Sequence, residues 1–261
     1  MIKLLMKYDI KKMTQILIYF YIGAIVLAII TRLINLGSHI QAVAIIGQVF
    51  AGLTYSAIGS VIINTFIHIL KVFIDNFYKD ESYLTHTLPV TKNQLFASKF
   101  LSGTIVTFAS LLVCLTSLMI IFLGPEFLQW FSAFVNTTVA GFTMPTGIFL
   151  ALIVLLVFLQ IFALLGMSFC AIVKANTYNT KRFIKGIAWF VGYYLGSMLA
   201  VILTTVIVFA IGGNLGALGA TLLSQSSLIT IIIIAIVIYL LCISLFYFLA
   251  NKMFNKGVNV D

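Results

Sequence analysis

Charge is scarce in this chain. Asp, Glu, Lys and Arg make up 8% of 261 residues, where a soluble domain carries about a quarter. The six acidic residues are outnumbered by fifteen basic ones, and arginine occurs only at Arg32 and Arg182. No Asp or Glu falls inside a long apolar run, which disfavours an ion-coupled carrier, because such carriers keep an intramembrane carboxylate as a relay. No glycine is followed by lysine, so the chain has no Walker A loop and does not bind ATP that way. It has no HExxH sequence, and the acidic pair Asp80-Glu81 has no histidine at metal-ligand spacing. No histidine follows His86, so the faint nucleophile pattern Gly166-Met167-Ser168 lacks a downstream base. Cys114, Cys170 and Cys242 sit in apolar runs without metal spacing and read as small buried hydrophobes. No small-residue cleavage site follows the first apolar run, so no cleavable signal peptide is expected. These absences exclude the common routes to an enzyme: no catalytic, cofactor-binding or metal residue is expected in this chain.

Apolar sequence is abundant. Hydrophobic residues make up 62% and the mean hydropathy is +1.20. The apolar runs are continuous rather than alternating and suit a bilayer, which a helix of about 20 apolar residues crosses. Helices satisfy their own backbone groups in lipid. The pattern predicts an all-α membrane protein, one polytopic domain over 1–261, with spans at about 15–36, 43–70, 100–123, 146–171, 187–211 and 227–250. Fourteen of the fifteen basic residues fall before span one, between spans two and three, between four and five, or after six; Arg32 alone lies near the other side. The positive-inside rule then places both termini in the cytoplasm. Anionic headgroups account for the net charge of +9, and no nucleic-acid partner is implied. Lysines interleaved with Ile2, Leu5, Met6, Ile10 and Met13 predict an N-terminal interfacial helix at about 1–14. On the outer side, Phe127, Trp130, Phe131 and Phe134 recur at helical spacing after Pro125 and predict a short amphipathic helix. Abundant Lys, Asn and Ile with little Arg fit an AT-rich bacterial genome.

Inside the spans the polar features are mild. Gln48, Gly52, Ser56, Ser60, Asn64 and His68 recur every fourth residue along span two. Such a ridge lets another helix approach closely and hydrogen-bond. It reads either as packing within the chain or as a face for a translocation path or a dimer. Gly192 and Gly196 on span five carry the same ambiguity.

One segment breaks the apolar pattern. DNFYKDESYLTHTLPVTKNQLFASKF, residues 75–100, holds Asp75, Lys79, Asp80, Glu81, Lys92 and Lys99 in an otherwise nearly uncharged chain. Thr91 and Gln94 after Pro89 form a capping box, so a helix should start near Thr91 and run into span three. Upstream, Phe77, Tyr83 and Leu84 alternate with charged residues and predict a short helix below the membrane, stopped by Pro89. A charged, aromatic helix at a cytoplasmic turn suits docking into the groove of a soluble partner; an ordinary solvated loop is the plainer reading. The run Tyr83-Leu84-Thr85-x-Thr87-Leu88-Pro89-Val90, with Lys99 beyond it, resembles a signature of the membrane subunits of ABC type 2 exporters. The six-span plan with a basic N-terminal helix resembles them too. Ser82 departs from the pattern, where many relatives have glycine, and the acidic run is slightly shorter.

The resemblance implies a permease in the bacterial cytoplasmic membrane, with a coupling helix in the segment at about 71–99. It implies an ABC ATPase partner that binds the ATP and a second permease chain, the same or a sister. Asp80, Glu81, Tyr83, Leu84 and Pro89 would then make the ATPase contact. The nearly uncharged outer segments suit an amphiphilic cargo such as a hydrophobic peptide, an antimicrobial or a lipid-like molecule. A membrane scaffold or sensor that recruits a cytoplasmic regulator is the alternative, and a secondary carrier comes third.

Overall fold

The computed structural model describes residues 2–37, 40–79, 82, 87, 89–122, 125–136, 145–178, 180–211 and 225–256. Seven helices occur among them: α1 (Ile2–Leu36), α2 (Gln41–Tyr78), α3 (Lys92–Phe122), α4 (Pro125–Asn136), α5 (Thr146–Ala175), α6 (Arg182–Ile211) and α7 (Gln225–Asn255). Six of these, all but α4, are long and apolar enough to cross a membrane. The chain is an all-helical, multi-pass membrane protein by that measure.

Proline placement explains why the helices run unbroken. The chain has three prolines; Pro125 opens α4 and Pro145 stands just before α5, where a missing N–H costs nothing. Pro89 lies in the connection between α2 and α3. Hydroxyls within the spans turn back onto their own helix. Thr65, Thr107, Ser110 and Thr205 each donate to the carbonyl four residues earlier, which satisfies a polar group that lipid cannot.

The chain packs as two compact units, divided between Leu128 and Gln129 within α4. In the first, α1 packs on both α2 and α3, and α2 meets α3. Ala24 and Ala28, four residues apart on α1, let it approach Ile58 and Val61 of α2 and Cys114 and Ile121 of α3. Small residues permit such close approach where lipid gives no hydrophobic drive. Polar ties cross this core at two levels. Tyr21 Oη and Ser110 Oγ lie 2.5 Å apart, with Thr65 Oγ1 2.8 Å from the same serine. Thr31 and Thr54, both fully buried, pair at 2.7 Å.

In the second unit α5 packs on α6 and α7, which also touch each other. The buried residues of α6 are Ser197, Thr205 and Phe209, while Ile184, Leu195, Leu199, Ile202, Leu203 and Ile207 are exposed. A helix that turns hydroxyls inward and branched aliphatics outward is arranged for lipid; an apolar surface of this extent is not compatible with water.

Three sequence expectations take a different form. The interfacial segment at about 1–14 is not set off by a break, because α1 is one helix from Ile2 to Leu36. The coupling segment at about 71–99 begins and ends inside helices: α2 continues to Tyr78 and α3 starts at Lys92. Phe77, expected on the projecting helix, is a fully buried residue of α2. The reason is that hydropathy falls after residue 70 but helix propensity does not. Asp75 and Lys79 add an ion pair one turn apart at 3.0 Å. The expected amphipathic helix after Pro125 is present as α4, where Phe127 stacks on Phe122 at 5.6 Å.

Candidate functional site at the base of the 79–91 connection

Helix length explains why this site exists. With 38 residues α2 is about 57 Å long, nearly twice the hydrocarbon thickness of roughly 30 Å. α1 and α3, at 35 and 31 residues, also exceed a span. The surplus gathers where the charges are, at the start of α1, the end of α2 and the start of α3. These three ends pack into a stub that carries the 79–91 connection.

Aromatic rings and one buried ion pair hold the stub together. Phe73, Phe77 and Phe96 are fully buried. Phe73 meets Phe77 edge-on at 4.9 Å and Phe96 at 6.1 Å, which ties α2 to α3. Phe96 stacks on Phe100 at 6.4 Å. Tyr78 packs against both Phe73 and Phe77, and burial pushes its phenol above the ordinary value of 10. Its Oη, like Ser82 Oγ, is buried with no hydrogen-bond partner among the described residues. Each such hydroxyl costs about 1–3 kcal/mol, while each fully buried ring contributes about 1.5–3 kcal/mol. The rings therefore set the balance.

The ion pair joins Lys99 of α3 to Asp9 of α1. Lys99 is 5% exposed and Asp9 7%. Lys99 Nζ donates to Asp9 Oδ1, and Ser98 Oγ donates to Asp9 Oδ2 at 3.4 Å. Lys12, one turn beyond Asp9, donates to Asn76 Oδ1 of α2 at 3.1 Å. Thus α1 is tied by charge to α3 and by a charge-assisted hydrogen bond to α2. The connection emerges between two helix ends that cannot move independently of α1.

The connection re-enters the fold as expected. The Gln94 N–H donates to Thr91 Oγ1 at 3.3 Å, and α3 starts at Lys92. This is half of the expected capping box, and Pro89 stands exposed just upstream. Asp80, Glu81, Tyr83 and Leu84 lie outside the described residues.

The ridge on α2 is not part of the first unit's core. Thr54, Ile58, Val61, Thr65 and Ile69 form the inward face. Gln48, Gly52 and Ser56 are exposed, and Ser60, Asn64 and His68 half-buried. Ser56 donates to the Leu53 carbonyl, Ser60 to that of Ala57 and Asn64 to that of Ser60, all within α2. A Cβ added at Gly52 would meet nothing within 4 Å, whereas one at Gly47 would lie 2.5 Å from Asn35 Oδ1. Gly52→Leu should therefore leave thermal unfolding in detergent almost unchanged, within roughly 0.5 kcal/mol, while Gly47→Leu should cost about 1–3 kcal/mol. Equal destabilisation by both would return the ridge to internal packing. Gly192 and Gly196 on α6 are similarly open.

Sequence reasoning missed the Asp9–Lys99 tie. From sequence, Lys99 reads as a topology charge and as the last residue of the 83–99 pattern, and Asp9 stands alone among the lysines of α1. Ninety residues separate the two, so only the fold brings them together.

Fold and site define a multi-pass helical membrane protein with a braced, charge-bearing stub at one end of its first unit. No family model, curated protein or solved structure matches the chain. The permease resemblance rests on the residues of the 83–99 segment and on the six-span plan with its basic N-terminal helix.

Proposed function

We propose that the chain is the membrane subunit of an ATP-driven bacterial ABC exporter, moving a hydrophobic or amphiphilic cargo out of the cytoplasm. The observation that carries this reading is the braced stub beneath the 79–91 connection. A partner pressing on that connection presses on α1, α2 and α3 together, because Lys99–Asp9, Lys12–Asn76 and the Phe73–Phe77–Phe96 cluster lock their ends. That is what a subunit without its own ATP site needs if work enters from outside. Asp80, Glu81, Tyr83 and Leu84 make the contact, and Pro89 sets the angle of the segment. The start of α1, continuous with its span, stands in the stub beside the ends of α2 and α3. The open ridge on α2 faces the second permease chain or the cargo path.

Two measurements test this reading. In intact cells a cysteine placed at Lys181 should be protected from an impermeant thiol reagent, and one at Ser132 should react; reversed labelling contradicts the orientation. Purified gently from its native membrane, the full chain should bring with it a nucleotide-binding subunit carrying a Walker motif. Recovery of a regulator without such a motif supports the scaffold alternative instead.

A further inference from the structure

The second unit, Gln129–Asn259, contains six basic residues and no Asp or Glu. Lys174 lies at the end of α5; Lys181, Arg182 and Lys185 at the start of α6; Lys252 and Lys256 at the end of α7. Tyr193, early in α6, packs on Phe246, late in α7, at 5.0 Å. These termini therefore share one end of the unit, and residues 129–259 carry positive charge with no Asp or Glu among them.

The turn between α5 and α6 is organised around Tyr178. Arg182 Nε donates to the Tyr178 carbonyl at 3.1 Å. Lys185 Nζ lies 4.1 Å from the centroid of the Tyr178 ring, and Lys174 Nζ lies 5.5 Å from that of Trp189. Ring faces steady the ammonium groups without neutralising them. Lys181 has φ 54°, a left-handed conformation in which glycine would be less strained. Beside the cations, Phe183 is 79% exposed, Ile184 63% and Ile187 50%, at the start of a helix whose outer surface is aliphatic.

We infer that this turn binds an anionic phospholipid, with its phosphodiester against Lys181, Arg182 and Lys185 and its acyl chains along Phe183, Ile184 and Ile187. Charge complementarity selects an anion. The adjoining apolar side chains select one that carries acyl chains over an acidic protein or a nucleic acid, neither of which covers Phe183 and Ile184 with hydrocarbon. The inference rests on the membrane placement and is independent of the ATPase partnership, so either can fail alone.

The test is native mass spectrometry of the full chain in detergent, with phosphatidylglycerol or phosphatidylcholine at equal concentration. Wild type should retain phosphatidylglycerol at least about tenfold more tightly, and Arg182→Gln with Lys185→Gln should weaken it by about tenfold to thirtyfold. Lys3→Gln with Lys7→Gln removes the same charge elsewhere and should change retention less than about twofold. Lys181→Gly removes a cation while relieving the backbone. It should lose about fivefold in retention with no fall in unfolding temperature, so misfolding does not explain its loss. Inorganic phosphate in excess should not displace the lipid. The inference is overturned if both lipids bind alike, if the two double variants lose equally, or if Lys181→Gly binds as wild type. Displacement by free phosphate overturns it too. So does lipid retention unchanged by the turn variants, even if those variants shed an acidic soluble protein.

Discussion

Lys99→Ala should destabilise the first unit by about 3–5 kcal/mol, because it leaves the Asp9 carboxylate buried without its partner. Domains of this kind are stable by only about 5–15 kcal/mol, so the folded yield in detergent should fall sharply. Asp9→Ala should also destabilise the unit, since it removes the carboxylate that faces a lysine only 5% exposed. Ser98 does not substitute, because one hydroxyl at 3.4 Å from Asp9 is a weak donor beside an ammonium. Replacing both charges with apolar side chains of similar volume, Asp9→Leu with Lys99→Met, should recover most of the loss, as buried pairs are often matched by apolar packing. Thermal unfolding followed by size-exclusion fluorescence checks this. A double variant no better than either single would mean that the pair is solvated and does not brace the stub. If the double variant folds but fails in transport, the charges serve coupling as well as folding.

Tyr83→Ala carries the second large effect. The sequence offers Tyr83 and Leu84 as apolar side chains on a charged segment, and an aromatic anchor in a partner's groove contributes about 1–4 kcal/mol. Association with the proposed ATPase subunit should weaken by about tenfold or more, with insertion and expression unchanged. Asp80→Asn should do much less, since rim charges steer approach more than they hold. Pro89→Ala keeps the contact residues but frees the angle of the segment, so transport should fall more than binding. Wild-type co-purification and transport in both Tyr83→Ala and Leu84→Ala would make the connection an ordinary loop.

The membrane helices were legible because continuous apolar runs are the strongest signal a sequence carries. The start of α3 was legible for a local reason, the Thr91 hydroxyl capping Gln94. α4 was legible from Pro125 and the period of its aromatics. The extent of α2 was not, since hydropathy reports where lipid is and not where a helix stops; Phe73 carries it on by packing against Phe77 and against Phe96 of α3. The polar ridge was visible as a period, but its orientation was not. Thr54, Ile58, Val61 and Thr65 form an equally periodic stripe on the same helix, and only contact with α1 and α3 decides which stripe turns inward. The basic turn of the second unit was counted but not seen as a site, because the grouping of Lys185 and Arg182 on Tyr178 depends on backbone turns that composition does not encode.

The central claim is that this chain receives the work of ATP hydrolysis from another subunit through the 79–91 connection. The most direct measurement is the ATPase rate in lipid vesicles containing the purified chain alone, the partner ATPase alone and the two together. We expect no hydrolysis above background from the chain alone, and a rate for the pair that rises with cargo and loses that rise in Tyr83→Ala. Hydrolysis by the chain free of any ATPase, or a cargo response that Tyr83→Ala leaves intact, would contradict it.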